Sequence, residues 1–121
     1  MESLELYIDT PSRDLVETLH TSGQGLRQEG LTVEEPTRTP GFIEGAFEIA
    51  ANFGLLAIPA GVAAGMIANW IGAALSKQSP GLESRLTVRK GETEIQLTLK
   101  AQDEEELTRL IAAALDELAD D

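Results

Sequence analysis

Ile49-Ala50-Ala51-Asn52-Phe53-Gly54-Leu55-Leu56-Ala57-Ile58-Pro59-Ala60-Gly61-Val62-Ala63-Ala64-Gly65-Met66-Ile67-Ala68-Asn69-Trp70-Ile71-Gly72-Ala73-Ala74-Leu75-Ser76 carries no charged side chain. A stretch of this kind is either the interior of a domain or a membrane segment, and the rest of the chain is organised around which of the two it is. A spanning helix needs about 20 predominantly apolar residues, so length permits a span, and Trp70 with Lys77 just after would suit an interfacial boundary. Composition argues the other way. The run is rich in alanine and glycine, and Asn52, Pro59 and Asn69 are costly deep in lipid. A helix that touches a sheet on one side and a second helix on the other is also apolar all round. The core reading is favoured. The membrane reading is kept as a conditional state in which the segment is released from its shelter.

Within the run the residues sort by size. At 100° per residue, Gly61, Ala64, Gly65, Ala68 and Gly72 gather on one side of a helix, and Val62, Met66, Ile67, Trp70 and Ile71 on the other. Gly61 and Gly65 form a small-xxx-small pair that lets backbones approach closely. Gly61, Gly65, Trp70 and Gly72 are therefore the residues expected to pack against another helix or a membrane neighbour. The whole Gly/Ala-rich segment 42–77 is expected to be helical. A first helix is placed over residues 41–52, and Pro59 opens a second that ends near Lys77.

Outward from this segment the pattern changes. Leu4, Leu6 and Ile8 alternate with Glu5, Tyr7 and Asp9, the period of a half-buried strand. Thr10-Pro11 reads as an N-cap and first helical position, and Leu15, Val16, Leu19 and Leu26 hold helical spacing. Gly23 and Gly25 weaken that helix, and Gly30 stops it. Leu31-Thr32-Val33 reads as a second strand. A strand, a helix and a strand favour a crossover between parallel strands. Residues 36–41 read as a linker. Ser79-Pro80-Gly81 is a turn, and period two returns in Leu82, Leu86, Val88 and in Ile95, Leu97, Leu99, with Lys90-Gly91 as the hairpin turn. Leu107, Leu110, Ile111, Ala114, Leu115 and Leu118 follow one helical face behind Asp103 and Glu106, which have capping-box-like spacing. The expectation is one α+β domain over residues 1–121. It is a four-stranded mixed sheet in the order β-α-β, apolar helix pair, β-β-α.

Composition narrows the function classes. At 121 residues and 42% apolar the chain can build a single core. It has no cysteine, so thiolate chemistry and disulfides are absent. A net charge of -12 repels nucleic-acid phosphates and leaves a basic protein as the compatible partner. Met1 to Glu5 lack the positive and apolar regions of a secretory signal, so a cytoplasmic location is expected, with membrane association only on activation. The lone His20 has no thiol to pair with and reads as a helix-surface residue. Gly23-Gln24-Gly25 lacks the strand, third glycine and lysine of a phosphate loop. No catalytic, metal or cofactor constellation emerges, and a non-enzymatic role is expected. The acidic run Asp103-Glu104-Glu105-Glu106 suits a helix N-terminus. Its Glu104, Glu105 and Glu106 form the candidate docking patch for a basic partner.

Several of these features occur in an order that resembles the effector-associated constant component domains of bacterial conflict systems. They are the acidic strand-helix unit with its Leu26-Arg27 step, the Thr39-Pro40-Gly41 break and the Gly/Ala-rich helix ending at Asn69-Trp70-Ile71 near Lys77. The hairpin from Leu86 through Leu97 and the acidic terminal helix complete the order. The helix here ends in a single lysine, where the family pattern has an arginine-rich stretch after the tryptophan. The resemblance implies a non-enzymatic component, encoded with or fused to a protease, a nucleotide-dependent regulator or another effector, that couples sensing to that effector. A homo-oligomer and a conditional membrane contact are compatible with it. The alternative it leaves is a membrane-permeabilising effector whose segment 42–77 is released on activation.

Overall fold

The structure, a computed structural model, describes residues 3–38, 47–54 and 60–119. Strand β1 is Ser3–Thr10, helix α1 Arg13–Gln24, β2 Leu31–Val33, β3 Thr37–Arg38, β4 Phe47–Gly54, α2 Ala60–Ser76, β5 Glu83–Lys90, β6 Thr93–Lys100 and α3 Glu104–Ala119. The class is α+β. The strands lie in the order β2-β4-β1-β5-β6, with β3 also pairing on β4, and every pairing is antiparallel.

This sheet corrects the expected four-stranded mixed one: it adds β3 and β4 and is antiparallel throughout, and β4 makes most of the difference. The uncharged run begins with a strand. Phe47, Ile49, Ala51 and Phe53 repeat every second residue, and Ile49, Ala51 and Phe53 are buried. All eight residues of β4 pair with β1, from Ser3↔Gly54 to Thr10↔Phe47. The helix expected over 41–52 therefore gives way to β4 from Phe47 onward, and its first part, 41–46, lies outside the described residues. β1 and β2 both run antiparallel to β4, so they share a direction, as the strand-helix-strand reading requires, but β4 separates them. The linker placed at 36–41 contains β3, and its residues 39–41 lie outside the described residues.

Side chains of one sheet face are buried: Leu4, Leu6 and Ile8 of β1, Ile49, Ala51 and Phe53 of β4, Leu86 and Val88 of β5, and Leu99 of β6. α1 packs against β1, β2 and β4, α3 packs against β5 and β6, and α2 packs on both α1 and α3. Fully burying an aliphatic or phenyl side chain stabilises the fold by about 1.5–3 kcal/mol, and these positions form one continuous cluster with α2. The opposite face carries Glu5, Tyr7 and Asp9, Ala50 and Asn52, Arg85, Thr87 and Arg89, and Gln96 and Thr98.

Local chemistry sets the element ends. α1 starts two residues later than Thr10-Pro11 suggests. Its N-cap is Ser12, whose hydroxyl accepts from the Leu15 amide at 3.1 Å. Thr10 stays in β1, where its buried hydroxyl accepts from the Ser84 hydroxyl at 2.9 Å and from the Ser12 amide at 3.2 Å. Gly30, at φ +110°, closes the short 3-10 turn Arg27–Glu29 after α1. Lys90 pairs with Thr93, leaving Gly91-Glu92 as a two-residue hairpin loop, with Gly91 at φ +62°. Glycine first in such a loop matches the sheet's twist. On α3, Leu107, Ile111, Leu115 and Leu118 are buried, but Leu110 is 46% exposed and Ala114 is half-buried, so the packed face is narrower than the sequence pattern.

Candidate functional site

The structure separates the residues expected at a helix-packing or membrane site. Trp70 is 5% exposed and points under α1. Its indole N–H donates to the Leu19 carbonyl at 3.2 Å and to the Ser22 hydroxyl at 3.1 Å. A buried indole needs such partners, and here they pin α2 to the last turns of α1. Gly23 makes the seat. A Cβ there would sit 2.5 Å from Val33 Cγ2 and 3.2 Å from Trp70 Cζ2. The glycine that weakens α1 as an isolated helix is therefore required by the packing above it.

Gly72 is spent in the same way. A Cβ at this buried position would lie 2.6 Å from Thr108 Oγ1 and 3.4 Å from the Thr108 amide nitrogen, so α2 and α3 meet at the glycine. Among the described residues, and apart from the helix's own backbone, no atom lies within 4 Å of the place a Gly65 Cβ would occupy. The surroundings of Gly61 fall outside the described residues. Ala64 and Ala68 are buried, whereas Val62 is 53% exposed. The small-residue side of α2 thus serves contacts within the chain at Gly72, Ala64 and Ala68, and stands open at Gly65. At 17 residues α2 is roughly 26 Å long. Among the described residues no helix is long and apolar enough to cross a membrane.

Glu104, Glu105 and Glu106 form the exposed first turn of α3. The Leu107 amide donates to the Asp103 carbonyl at 3.0 Å, which starts the helix at Asp103. Glu105 lies 3.9 Å from Arg109, both largely exposed. A surface pair of this kind contributes about 0–1 kcal/mol, so little of this charge is committed to the fold. The patch and Trp70 lie on different elements and serve different ends.

His20 is half-buried on α1, with its Nε2 3.3 Å from the Gln24 amide nitrogen. Gly23-Gln24-Gly25 closes α1 as its last residues and C-cap. Among the described residues no three His, Asp or Glu side chains come together as a metal site. A shallow cleft of about 470 Å³ lies between α1 and the β3–β4 end of the sheet, lined by Arg13, Val16, Glu17, Pro36, Thr37 and Phe47. Arg13 and Glu17 pair across one turn at 3.0 Å on its rim.

One electrostatic feature escaped the sequence reading. Asp9 and Glu48 stand opposite each other on β1 and β4. Burial pushes the Glu48 carboxyl above its usual range, and the hydrogen bond and charge of Asp9 push it further. Asp9 Oδ1 is buried without a hydrogen-bond partner among the described residues. Two carboxylates this close disfavour double ionisation. The pair depends on the β1–β4 register, so it could not be read before β4 was recognised as a strand.

No protein-family model and no curated protein matches the chain.

Proposed function

We propose that this domain is a non-enzymatic effector-associated component of a bacterial defence system. It joins a sensor or protease to an effector through protein–protein contacts, with Glu104, Glu105 and Glu106 as the docking patch. The observation that supports this most is the state of those three carboxylates. They are exposed, adjacent and almost uncommitted within the fold, on a chain of net charge -12. A basic surface on the partner would meet them with a fast, salt-sensitive association.

The test is binding to the protease or regulator encoded beside it, measured as a function of salt. Reversal of Glu104, Glu105 and Glu106 to lysine is compared with reversal of the exposed Asp116 and Glu117 near the other end of α3. The first reversal abolishes binding and the second leaves most of it. Equal binding by both variants removes the patch from the account.

The membrane-permeabilising reading draws on the uncharged run alone. It needs α2 to leave Leu19, Ser22 and Thr108. Leakage of dye from vesicles by the protein, before and after exposure to its partner, separates it from the docking role.

A further inference from the structure

The two edges of the sheet are built differently. On one edge, β2 and β3 both pair with the outer side of β4, but their registers differ by one residue across Glu34-Glu35-Pro36. A bulge, two acids and a proline blunt that edge. On the other edge lies β6. It pairs along its full eight residues with β5, without bulge or proline, and among the described residues pairs with nothing else. Such an edge presents a row of backbone donors and acceptors to any strand that fits. Its core-facing Ile95 and Leu97 are only half-buried, whereas Leu99 is 2% exposed.

We infer that β6 is a self-association edge on which a second copy of this chain docks, antiparallel, with Leu97 on the two-fold axis. Paired residues across an antiparallel ladder share a face, and in this register each row is complementary. Leu97 meets Leu97 of the second copy, Ile95 meets its Leu99, and Gln96 meets its Thr98. Glu94 meets its Lys100. On the open face Glu94 already holds Arg89 at 2.8 Å, and Lys100 lies 3.6 Å from Glu83. The row across the joined sheets therefore reads Arg89, Glu94, then Lys100 and Glu83 of the second copy, alternating in sign. The two-fold repeats it. Sliding the strands by two residues either way places Glu94 opposite Thr98 or Gln102, and in the first case Lys100 faces only Glu92 of the hairpin loop, beyond the end of the strand. A slip by one turns core-facing residues outward. The half-buried Ile95 and Leu97 gain apolar cover in each of the even registers, and the charge row within the strands selects the one centred on Leu97. The inference stands apart from the acidic patch on α3 and does not rest on it.

The net charge of -12 on each copy opposes association at long range, so the test is run near physiological ionic strength. Sedimentation equilibrium of the full chain is expected to show a concentration-dependent dimer. Glu94→Lys and Lys100→Glu each weaken it, by about tenfold because the two-fold doubles every contact. The double exchange recovers part of the loss, because the exchanged side chains pair across the two-fold but repel Arg89 and Glu83 within each copy. Thermal unfolding of each variant verifies that the monomer remains folded. The chain has no native cysteine, so Leu97→Cys reports the register directly. Opposed residues lie about 4.5–5.5 Å apart between Cα atoms, within disulfide reach, and the Leu97→Cys variant oxidises to a covalent dimer. Gln96→Cys, displaced diagonally by about 7–8 Å from its own copy, does not. A single-chain mass at every concentration overturns the inference. So does a dimer unmoved by the charge variants, or one that crosslinks through position 96 in preference to 97.

Discussion

The uncharged run from 49 to 76 takes in most of one strand and the whole of one helix, similar in composition and opposite in structure. β4, Phe47–Gly54, pairs with β1 along its whole length and buries every second residue. α2, Ala60–Ser76, buries residues around most of its circumference, among them Ala63, Ala64, Ile67, Ala68, Trp70, Ile71, Ala74 and Leu75. The difference teaches that absence of charge marks a place in the core without specifying the element that occupies it. Periodicity decides that. In β4 the large residues Phe47, Ile49 and Phe53 stand two or four apart, and in α2 Ile67, Trp70, Ile71 and Leu75 stand three and four apart.

The comparison breaks most severely at its two aromatic anchors. Phe53→Ala in β4 and Trp70→Ala in α2 are each expected to cost about 3–5 kcal/mol, read as a fall in the chemical-denaturation midpoint. The tryptophan variant also orphans the contacts to Leu19 and Ser22. A loss below about 1 kcal/mol at Trp70, the level of an ordinary surface change, would mean that α2 is not locked under α1.

The glycines of α2 sharpen the contrast within one helix. Gly72→Leu should cost about 1–3 kcal/mol or more by forcing α3 away at Thr108. Gly65→Ala should raise stability by about 0.5–1 kcal/mol, since among the described residues its Cβ meets nothing within 4 Å and alanine favours the helix. Opposite signs at these two positions, measured by thermal unfolding, are the signature of packing within the chain. A small-residue stripe reserved for a membrane neighbour would leave both substitutions harmless to the free protein's fold.

The smallest effect belongs to the outer face of β4. Glu48 has a raised carboxyl pKa in the folded state. The folded protein therefore holds its proton more tightly than the unfolded chain, and the ionised form weighs against folding as pH rises through the carboxylate range. Glu48→Gln should stabilise the protein modestly at neutral pH. In acid, where the carboxyl is protonated in both states, it should make little difference. A gain that is equal at both pH values would show that neither burial nor Asp9 raises the Glu48 carboxyl in the folded protein.

Much of the fold was legible in the residues. The alternation of Leu4, Leu6 and Ile8, the glycine turn after Lys90, the stop at Gly30 and the second apolar helix behind Pro59 all stand close to where local chemistry places them. β4 was hidden because, past Glu48, its outward residues Ala50 and Asn52 are small and uncharged, so its alternation there is one of size rather than polarity. The sheet order followed from that omission, since only a long strand between β1 and β2 makes the sheet wholly antiparallel. Leu110 was assigned to the core by spacing, yet α3 buries a narrower stripe. The role of Gly23 depends on Trp70, far along the chain, and no local pattern reveals it. Glu104, Glu105 and Glu106 were legible as an exposed helix start, while the Asp9–Glu48 pair required the register.

The central claim is that α2 is interior to this domain, and Trp70, the chain's single tryptophan, reports on it directly. The measurement is its fluorescence in the intact protein, with acrylamide in solution and with vesicles carrying brominated acyl chains. The account predicts blue-shifted emission, weak acrylamide quenching until the protein unfolds, and no quenching by the brominated lipid. Strong acrylamide quenching in the folded protein, or bromine quenching on addition of vesicles alone, would contradict it.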